Sequence, residues 1–344
     1  MEIILPTSSG KKRNFELAKF AQALQKFGEQ TGIKISSRGW CYQLESERLI
    51  NKNEFDKAEK IINECRKKGF LPIDFVAEED ARAFSGIETP DSRTPIEYMK
   101  EYLEAALRCE KWYTPDWWKG EEYYIQMLVE KIDLKTLFKT VCEKYHIPIA
   151  TSKGWSSMLQ RAEYARRFRE AEDMGLKCVL LYCGDHDPDG LRISDFIRKN
   201  LSDLKSVVWR DGEYGYDPSD LVIDRFGLNY EDIAKLNLTW IDNLITGSGK
   251  NLASPSHKNY HMDYVQDYLS RFGVRKCEAN AIVPKPKEAR AICRMAIENY
   301  LGPDALDRFD VVRKKIVRNV DDFRRETGLE YAITKALEII GNQR

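Results

Sequence analysis

The chain has 344 residues, which is enough for roughly two domains or for one domain with additions. Its hydrophobic content of 42% is ample for a buried core. Lys and Arg total 55 and Asp and Glu total 55, so a formal net charge of zero argues against a wholly cationic nucleic-acid binder. No segment approaches the ~20 apolar residues of a membrane span, and residues 1–15 lack the basic-then-apolar order of a secretory signal. We therefore expect a cytoplasmic protein.

The charges are distributed unevenly along the chain. Residues 11–70 carry 14 basic against 8 acidic residues, a balance of +6, whereas residues 71–130 carry 6 against 14, a balance of −8. This asymmetry suggests one face for an anionic partner and another for metals or a protein neighbour, with chance clustering as the alternative.

The basic segment is predicted to be helical. Apolar residues recur at helical spacing from Asn14 to Gln30, Ser36 or Ser37 can cap a second helix, and residues 54–68 form a third that ends at Gly69. The extended segment 70–79 follows, so we predict a winged helix-turn-helix, with a plain helical cap on the next domain as the alternative. The residues available to DNA phosphates are Lys57, Lys60, Arg66, Lys67 and Lys68.

A polar, Pro-containing stretch with an aromatic cluster, residues 88–119, is the predicted domain boundary. We therefore expect a DNA-binding domain over residues 1–112 and an α/β domain with a central, mostly parallel sheet and a C-terminal helical extension over residues 113–344. The second domain opens with an apolar strand from Tyr123 to Val129. Glu130 follows the strand, and an amphipathic helix follows Glu130.

A second strand of the same kind carries further acidic residues. Val179 to Tyr182 is continuously apolar, which is typical of a strand buried on both faces. Asp185 and Asp187 follow at its carboxyl end, where open α/β sheets bind their ligands. Two carboxylates without thiol or imidazole partners suit Mg²⁺. The alternative is an Asp-rich turn that caps the next helix.

This pattern of a glutamate after one strand and a DxD sequence followed by Pro and Gly after a later strand resembles the Toprim domain. The spelling GDHDPDG is most similar to the DNA-cleaving subunit of archaeal topoisomerase VI and its relatives. The resemblance implies that Glu130, Asp185 and Asp187 bind magnesium and that Glu130 also moves protons.

The same resemblance extends to the N-terminal helices. In the family of topoisomerase VI cleaving subunits, and in the related meiotic double-strand-break transesterase, a nucleophilic tyrosine follows an arginine by four residues in a helix. Here Arg38 and Tyr42 stand at that spacing. The family usually has an acid after the arginine and an aromatic residue before the tyrosine, whereas this chain has Gly39 and Cys41.

The resemblance implies an enzyme like the DNA-cleaving subunit of type IIB DNA topoisomerases, an isomerase in class. Tyr42 would attack a phosphodiester of double-stranded DNA and form a 5′-phosphotyrosyl bond, with Arg38 stabilising charge on the phosphate. Two protomers of a homodimer would make a double-strand break. Two other functions stay open: a Toprim nuclease that uses a metal-activated water, and a non-catalytic DNA-binding subunit.

Strand passage would require a separate ATPase subunit like that of topoisomerase VI. Without one, the chain would be a stand-alone DNA-cleaving protein, for example of a plasmid or virus. We expect it to be nucleoid-associated and of prokaryotic, plasmid or viral origin.

Overall fold

A computed structural model describes residues 3–31, 34–72, 74–77, 90–152, 158–206, 215–246 and 249–342. The chain divides into two compact units. Unit 1 comprises residues 1–79 and 122–300, and unit 2 comprises residues 80–121 and 301–344. These bounds do not follow the predicted division into 1–112 and 113–344, because the N-terminal helices belong to the same unit as the sheet.

The helices are α1 Gly10–Thr31, α2 Ser37–Ser46, α3 Phe55–Lys67, α4 Pro95–Ala106, α5 Ile132–Lys144, α6 Met158–Asp173, α7 Ile193–Ser202, α8 Tyr230–Leu236, α9 Asp263–Phe272, α10 Pro286–Leu301, α11 Ala305–Glu326 and α12 Leu329–Gly341. The strands are β1 Tyr123–Val129, β2 Ile149–Thr151, β3 Lys177–Cys183 and β4 Val222–Gly227.

A four-stranded sheet in the order β2-β1-β3-β4 forms the centre of unit 1. All its strand pairs are parallel, which confirms the predicted α/β class. In β1 and β3, six of seven residues are buried, as continuous apolar strands require when both faces of a sheet are covered. The chain runs outward from β1 to β2 and then returns to the other side of β1. The strand order therefore reverses between β1 and β3, and ligands of open α/β sheets bind at such a switch point.

The three predicted N-terminal helices are present as α1, α2 and α3. The side chain of Ser36 accepts a hydrogen bond from the Gly39 N–H and so caps α2. Gly69 follows α3 with a φ of +75°, the left-handed conformation that commonly ends a helix. Trp40 of α2 is buried and stacks on Phe75 with ring centroids 4.9 Å apart.

The structure does not confirm the winged-helix domain. After α3, the described residues 70–72 and 74–77 form bends and turns and contain no strand. The remainder of the predicted wing, residues 73, 78 and 79, lies outside the described residues. Of this prediction, the structure therefore confirms only the three helices.

Unit 2 is helical in its described residues. Thr94 and Glu97 form a capping box at the start of α4. Trp117 packs against Phe309 of α11 with ring centroids 4.6 Å apart, and Arg324 of α11 pairs with Glu110. In the part of the chain that the structure describes, none of the helices is both long and apolar enough to cross a membrane.

Candidate active site

Glu130 and Asp185 meet at the switch point of the sheet. Glu130 follows β1 and Asp185 follows β3, so the pairing of these strands brings the two residues together. The Asp185 N–H donates to Glu130 Oε2 at 2.7 Å, and the Glu130 N–H donates to the Cys183 carbonyl at 2.9 Å. Two of the three acids predicted to bind magnesium are therefore in direct hydrogen-bond contact.

Lys131 bridges these two carboxylates. The sequence alone did not predict this contact. Its Nζ lies 3.2 Å from Glu130 Oε1 and 3.0 Å from Asp185 Oδ2. The Lys131 side chain is 33% exposed, so it is only partly buried. The ion pairs neutralise part of the negative charge that the two acids bring to the strand ends.

Burial and mutual repulsion separate the pKa values of the acids. Burial, and next the negative charge of Glu130, raise the pKa of Asp185 to about 7. Burial also raises the pKa of Asp187 to about 6, with the charge of Glu130 adding to the effect. Burial alone would raise the pKa of Glu130, but Lys131 and the Asp185 N–H outweigh it and hold this pKa below its usual value. At neutral pH, Glu130 is therefore the more fully ionised of the pair.

Asp187 closes the turn that follows Asp185. Its Oδ1 accepts a hydrogen bond from the Gly190 N–H at 2.6 Å. This is the kind of bond that the alternative prediction, an Asp-rich turn, leads us to expect. The loop is tightly held, because a Cβ added at Gly190 would lie 2.2 Å from the Asp185 carbonyl oxygen. Arg225 of β4 donates to that same carbonyl at 2.9 Å and to the Gly184 carbonyl at 3.2 Å.

The resemblance implies a magnesium ion at these acids, and the donor chemistry fits one. Glu130 and Asp185 offer only carboxylate oxygens, the ligands that Mg²⁺ prefers. Lys131 already places a positive charge between them. Among the described residues, however, no three Asp, Glu, His or Cys side chains form a group arranged to hold a metal. Because the Lys131 ammonium lies between Glu130 and Asp185, magnesium could bind both carboxylates only if Lys131 moved away.

Replacing Lys131 with Met removes the ammonium group and keeps most of the side-chain length. We expect Mn²⁺ or Mg²⁺ to bind about tenfold more tightly in calorimetry, because the ion no longer displaces an ion pair worth ~1.4 kcal/mol. Binding should weaken below about pH 7 in wild type, since protons compete for Asp185, and from a higher pH in Lys131→Met, because Lys131 lowers the pKa of Asp185. The control is Lys139→Met, which removes an exposed ammonium of α5 that pairs with Glu143. Equal affinities in all three proteins would contradict the competition.

Tyr42 of α2 lies in a second polar cluster of unit 1. Its side chain is only 2% exposed, and its hydroxyl donates a short hydrogen bond to a carboxylate oxygen of Glu278. Lys52 Nζ donates to the same hydroxyl at 2.9 Å and lies 4.2 Å from the centre of the Tyr42 ring. Burial, and next the charge of Glu278, raise the pKa of Tyr42 well above its ordinary value, so the phenol is protonated at neutral pH. Tyr42 is thus paired with both a carboxylate and a cation.

One short segment connects this cluster to the acids of the sheet. Glu278 contacts Tyr42, and the N–H of the next residue, Ala279, donates to Asp185 Oδ1 at 2.7 Å. Cys277 forms an antiparallel bridge with His186 of the acidic loop. Consecutive residues therefore contact the predicted nucleophile and a predicted metal ligand within a single unit.

The other predicted catalytic residue, Arg38, contacts acids rather than Tyr42. Its Nη1 lies 3.2 Å from Glu59 and 3.5 Å from Asp56, both on α3, and its guanidinium lies over the Phe55 ring. The cation that contacts the Tyr42 hydroxyl is Lys52. Lys52 could not be identified from the sequence, because it follows α2 in a polar stretch with no motif.

The predicted DNA-binding residues of α3 differ in their surroundings. Lys57, Lys60 and Lys67 are exposed, and their spacing places them on one stripe of the helix. Arg66 donates to Asn63 at 3.1 Å, and Lys68 pairs with Glu64 at 2.8 Å. An exposed basic stripe is therefore present on α3 with three of the five predicted residues.

Comparisons with protein-family models, with curated proteins and with solved structures found no match. The residues of the two clusters are therefore the basis on which a function is proposed.

Proposed function

We propose that unit 1 is a magnesium-dependent DNA-cleaving transesterase, similar to the cleaving subunit of topoisomerase VI, with Tyr42 as its nucleophile. The observation that carries the proposal is the placement of the Tyr42 hydroxyl between Glu278 and Lys52, one residue away from the backbone contact to Asp185. A nucleophile hydrogen-bonded to a base, next to a group of carboxylates, is the arrangement that phosphodiester transesterification needs.

The side chains have distinct roles in this reaction. Glu278 is ionised at neutral pH, because its pKa lies below the ordinary value, and can therefore accept a proton. It takes the proton of the Tyr42 hydroxyl as the Tyr42 oxygen forms a bond to phosphorus, the bond from phosphorus to the 3′ oxygen of the sugar breaks, and that oxygen takes a proton from water. Lys52 stabilises the negative charge that develops on the Tyr42 oxygen. When bound at Glu130 and Asp185, magnesium would supply Lewis-acid stabilisation of the phosphate.

We also propose that the sheet and its helices form a Toprim domain and that the N-terminal helices form a winged helix-turn-helix. The positions of Glu130 and Asp185 at the ends of β1 and β3 support a Toprim domain. The exposed basic stripe supports α3 as the DNA-contacting helix of the proposed winged helix-turn-helix. Cutting both strands requires two Tyr42 residues and therefore a homodimer. Strand passage in addition requires an ATPase subunit, and we propose a nucleoid-associated role for the protein.

The test is covalent attachment of the protein to DNA. Purified protein is incubated with supercoiled DNA and Mg²⁺ and then denatured, and we expect protein bound to 5′ ends through Tyr42. Tyr42→Phe should abolish the adduct. Tyr145→Phe is the matched control, since Tyr145 is also buried and donates to a glutamate, Glu298, at 2.7 Å. An adduct that persists in Tyr42→Phe would overturn the proposal.

The burial of Tyr42 favours one alternative, a nuclease that uses a metal-activated water and leaves Tyr42 as a packed residue. The same assay separates the two enzymes. The nuclease would release free 5′ ends, would be unaffected by Tyr42→Phe, and would lose activity in Asp185→Asn. A protein that binds DNA without cutting it would instead be the non-catalytic subunit.

A further inference from the structure

A cavity of about 270 Å³ lies beside Tyr42 in unit 1. Its walls come from the end of α2, from the residues that follow α8 and from the residues that precede α10. Apart from Tyr42 itself, the side chains that matter for its chemistry are Ser46, Arg48, Asn237, Thr239 and Lys285. Hydrogen-bond donors and positive charges thus line a space next to the proposed nucleophile.

The two cations of this cavity have no acidic partner. In the described part of the chain, neither the Arg48 guanidinium nor the Lys285 ammonium makes a hydrogen bond or an ion pair, although Arg and Lys side chains elsewhere in unit 1 form many. Glu45 also lines the cavity, but it makes no hydrogen bond or ion pair with either cation among the described residues. Two cations against one carboxylate leave the lining of the cavity with a positive balance of charge.

Arg48 has a backbone conformation that is unusual for a residue with a side chain. Arg48 has a φ of +58°, its N–H donates to the Glu45 carbonyl, and the Leu49 N–H donates to the Leu44 carbonyl. This is the hydrogen-bond pattern of a helix end at which glycine is the usual residue, because it has no Cβ to clash. An arginine here carries a cation into the cavity at a position where the helix end itself favours glycine.

We infer that this cavity binds a backbone phosphate of the DNA strand beside the phosphate that Tyr42 attacks, through Arg48 and Lys285. The inference rests on the proposed function, since it names the part of the DNA that this surface holds. A guanidinium and an ammonium suit a phosphodiester, and Ser46, Asn237 and Thr239 add side-chain donors to the same cavity. Contacts of this kind fix the register of the strand and carry no base specificity.

The experiment uses a double variant that preserves the fold. Arg48→Gly removes the cation and places the favoured residue at the end of α2, and Lys285→Gln removes the second cation, so the melting temperature should not fall. Binding to a duplex oligonucleotide is measured by fluorescence anisotropy at several salt concentrations. We expect affinity to fall at least tenfold and the salt slope to decrease by about 1, because one neutralised phosphate is lost.

The control is Lys26→Gln with Lys144→Gln, which removes two exposed charges on α1 and α5. This control should bind DNA with the wild-type slope. If wild-type protein binds no DNA, the proposed function fails and this inference fails with it. If wild-type protein binds but the Arg48 and Lys285 variant keeps its slope, or if the control loses as much, the cavity assignment alone is overturned.

Discussion

Glu278→Gln should lower the rate of phosphotyrosyl bond formation by about 10²–10⁴, the contribution of a general base to such a step. Glutamine keeps the size of the side chain and can still contact the Tyr42 hydroxyl, but it cannot take the proton. Quench-flow measurement of the covalent adduct at saturating Mg²⁺ gives the rate. Lys52→Met should also lower it, since the phenolate loses the cation 2.9 Å from its oxygen.

The pH dependence distinguishes loss of a base from misfolding. The pKa of Glu278 lies below its ordinary value of 4.5 and that of Tyr42 lies above 10.0, so both groups are in the required form across neutral pH. The wild-type rate should therefore be nearly flat from pH 7.5 to 9, whereas the rate of Glu278→Gln should rise with hydroxide concentration. Glu45→Gln is the control, because Glu45 lines the same cavity without a hydrogen bond to Tyr42. A flat profile in both Glu278→Gln and wild type would exclude Glu278 as the base.

Local sequence patterns were sufficient to predict α1–α3, β1, α5 and β3 of unit 1. The apolar runs of β1 and β3 are long and uninterrupted, and the amphipathic pattern of α5 follows directly after Glu130. Parallel pairing then forces the acids that follow the two strands to one edge of the sheet. The α1–α3 helices were equally visible, because their apolar residues recur at helical spacing.

Contacts between distant parts of the chain could not be predicted in this way. The residues of the Tyr42–Glu278 pair are 236 positions apart, and no periodicity in the sequence links them. The bridge of Lys131 to Asp185 joins a residue before α5 to one after β3, and any exposed lysine has the same local pattern. A wing was predicted because the sequence of residues 70–79 is typical of an extended segment. The described residues of this segment instead form bends and turns, and Phe75 among them stacks on Trp40 of α2.

Packing also explains the two residues near Tyr42, Gly39 and Cys41, that differ from the pattern of topoisomerase VI cleaving subunits. A Cβ at Gly39 would lie 2.9 Å from Asp133 Oδ2 and 3.0 Å from the Ile35 Cβ, so no side chain fits between α2 and α5. The acid that the family usually carries at this position could not be accommodated. Cys41 is fully buried, and its thiol faces the Phe55 carbonyl at 3.5 Å, so a larger aromatic residue would require α2 and α3 to separate.

Asp133, the residue against which Gly39 packs, links the two segments that carry the proposed nucleophile and the proposed base. Its Oδ1 accepts from the Ser36 N–H at 2.6 Å, and its Oδ2 accepts from the Ser36 hydroxyl at 2.7 Å and from the Asn280 amide at 3.0 Å. Ser36 caps the helix that carries Tyr42, and Asn280 lies two residues after Glu278. A single buried carboxylate on α5 therefore joins both parts of the site.

Asp133→Ala should destabilise unit 1 by about 3 kcal/mol, because buried donors of Ser36 and Asn280 lose their acceptor at ~1–3 kcal/mol each. Urea unfolding followed by tryptophan fluorescence measures the loss. Asp133→Asn is the graded comparison: it keeps one acceptor oxygen but turns an NH2 group toward at least one of the donors that Asp133 accepts from, so its loss should be about 1–2 kcal/mol, smaller than that of the alanine variant. Equal stability of the alanine variant and wild type would show that Asp133 does not anchor α2. A stable alanine variant that nevertheless formed no DNA adduct would show that this contact positions Tyr42 and Glu278 without contributing to folding.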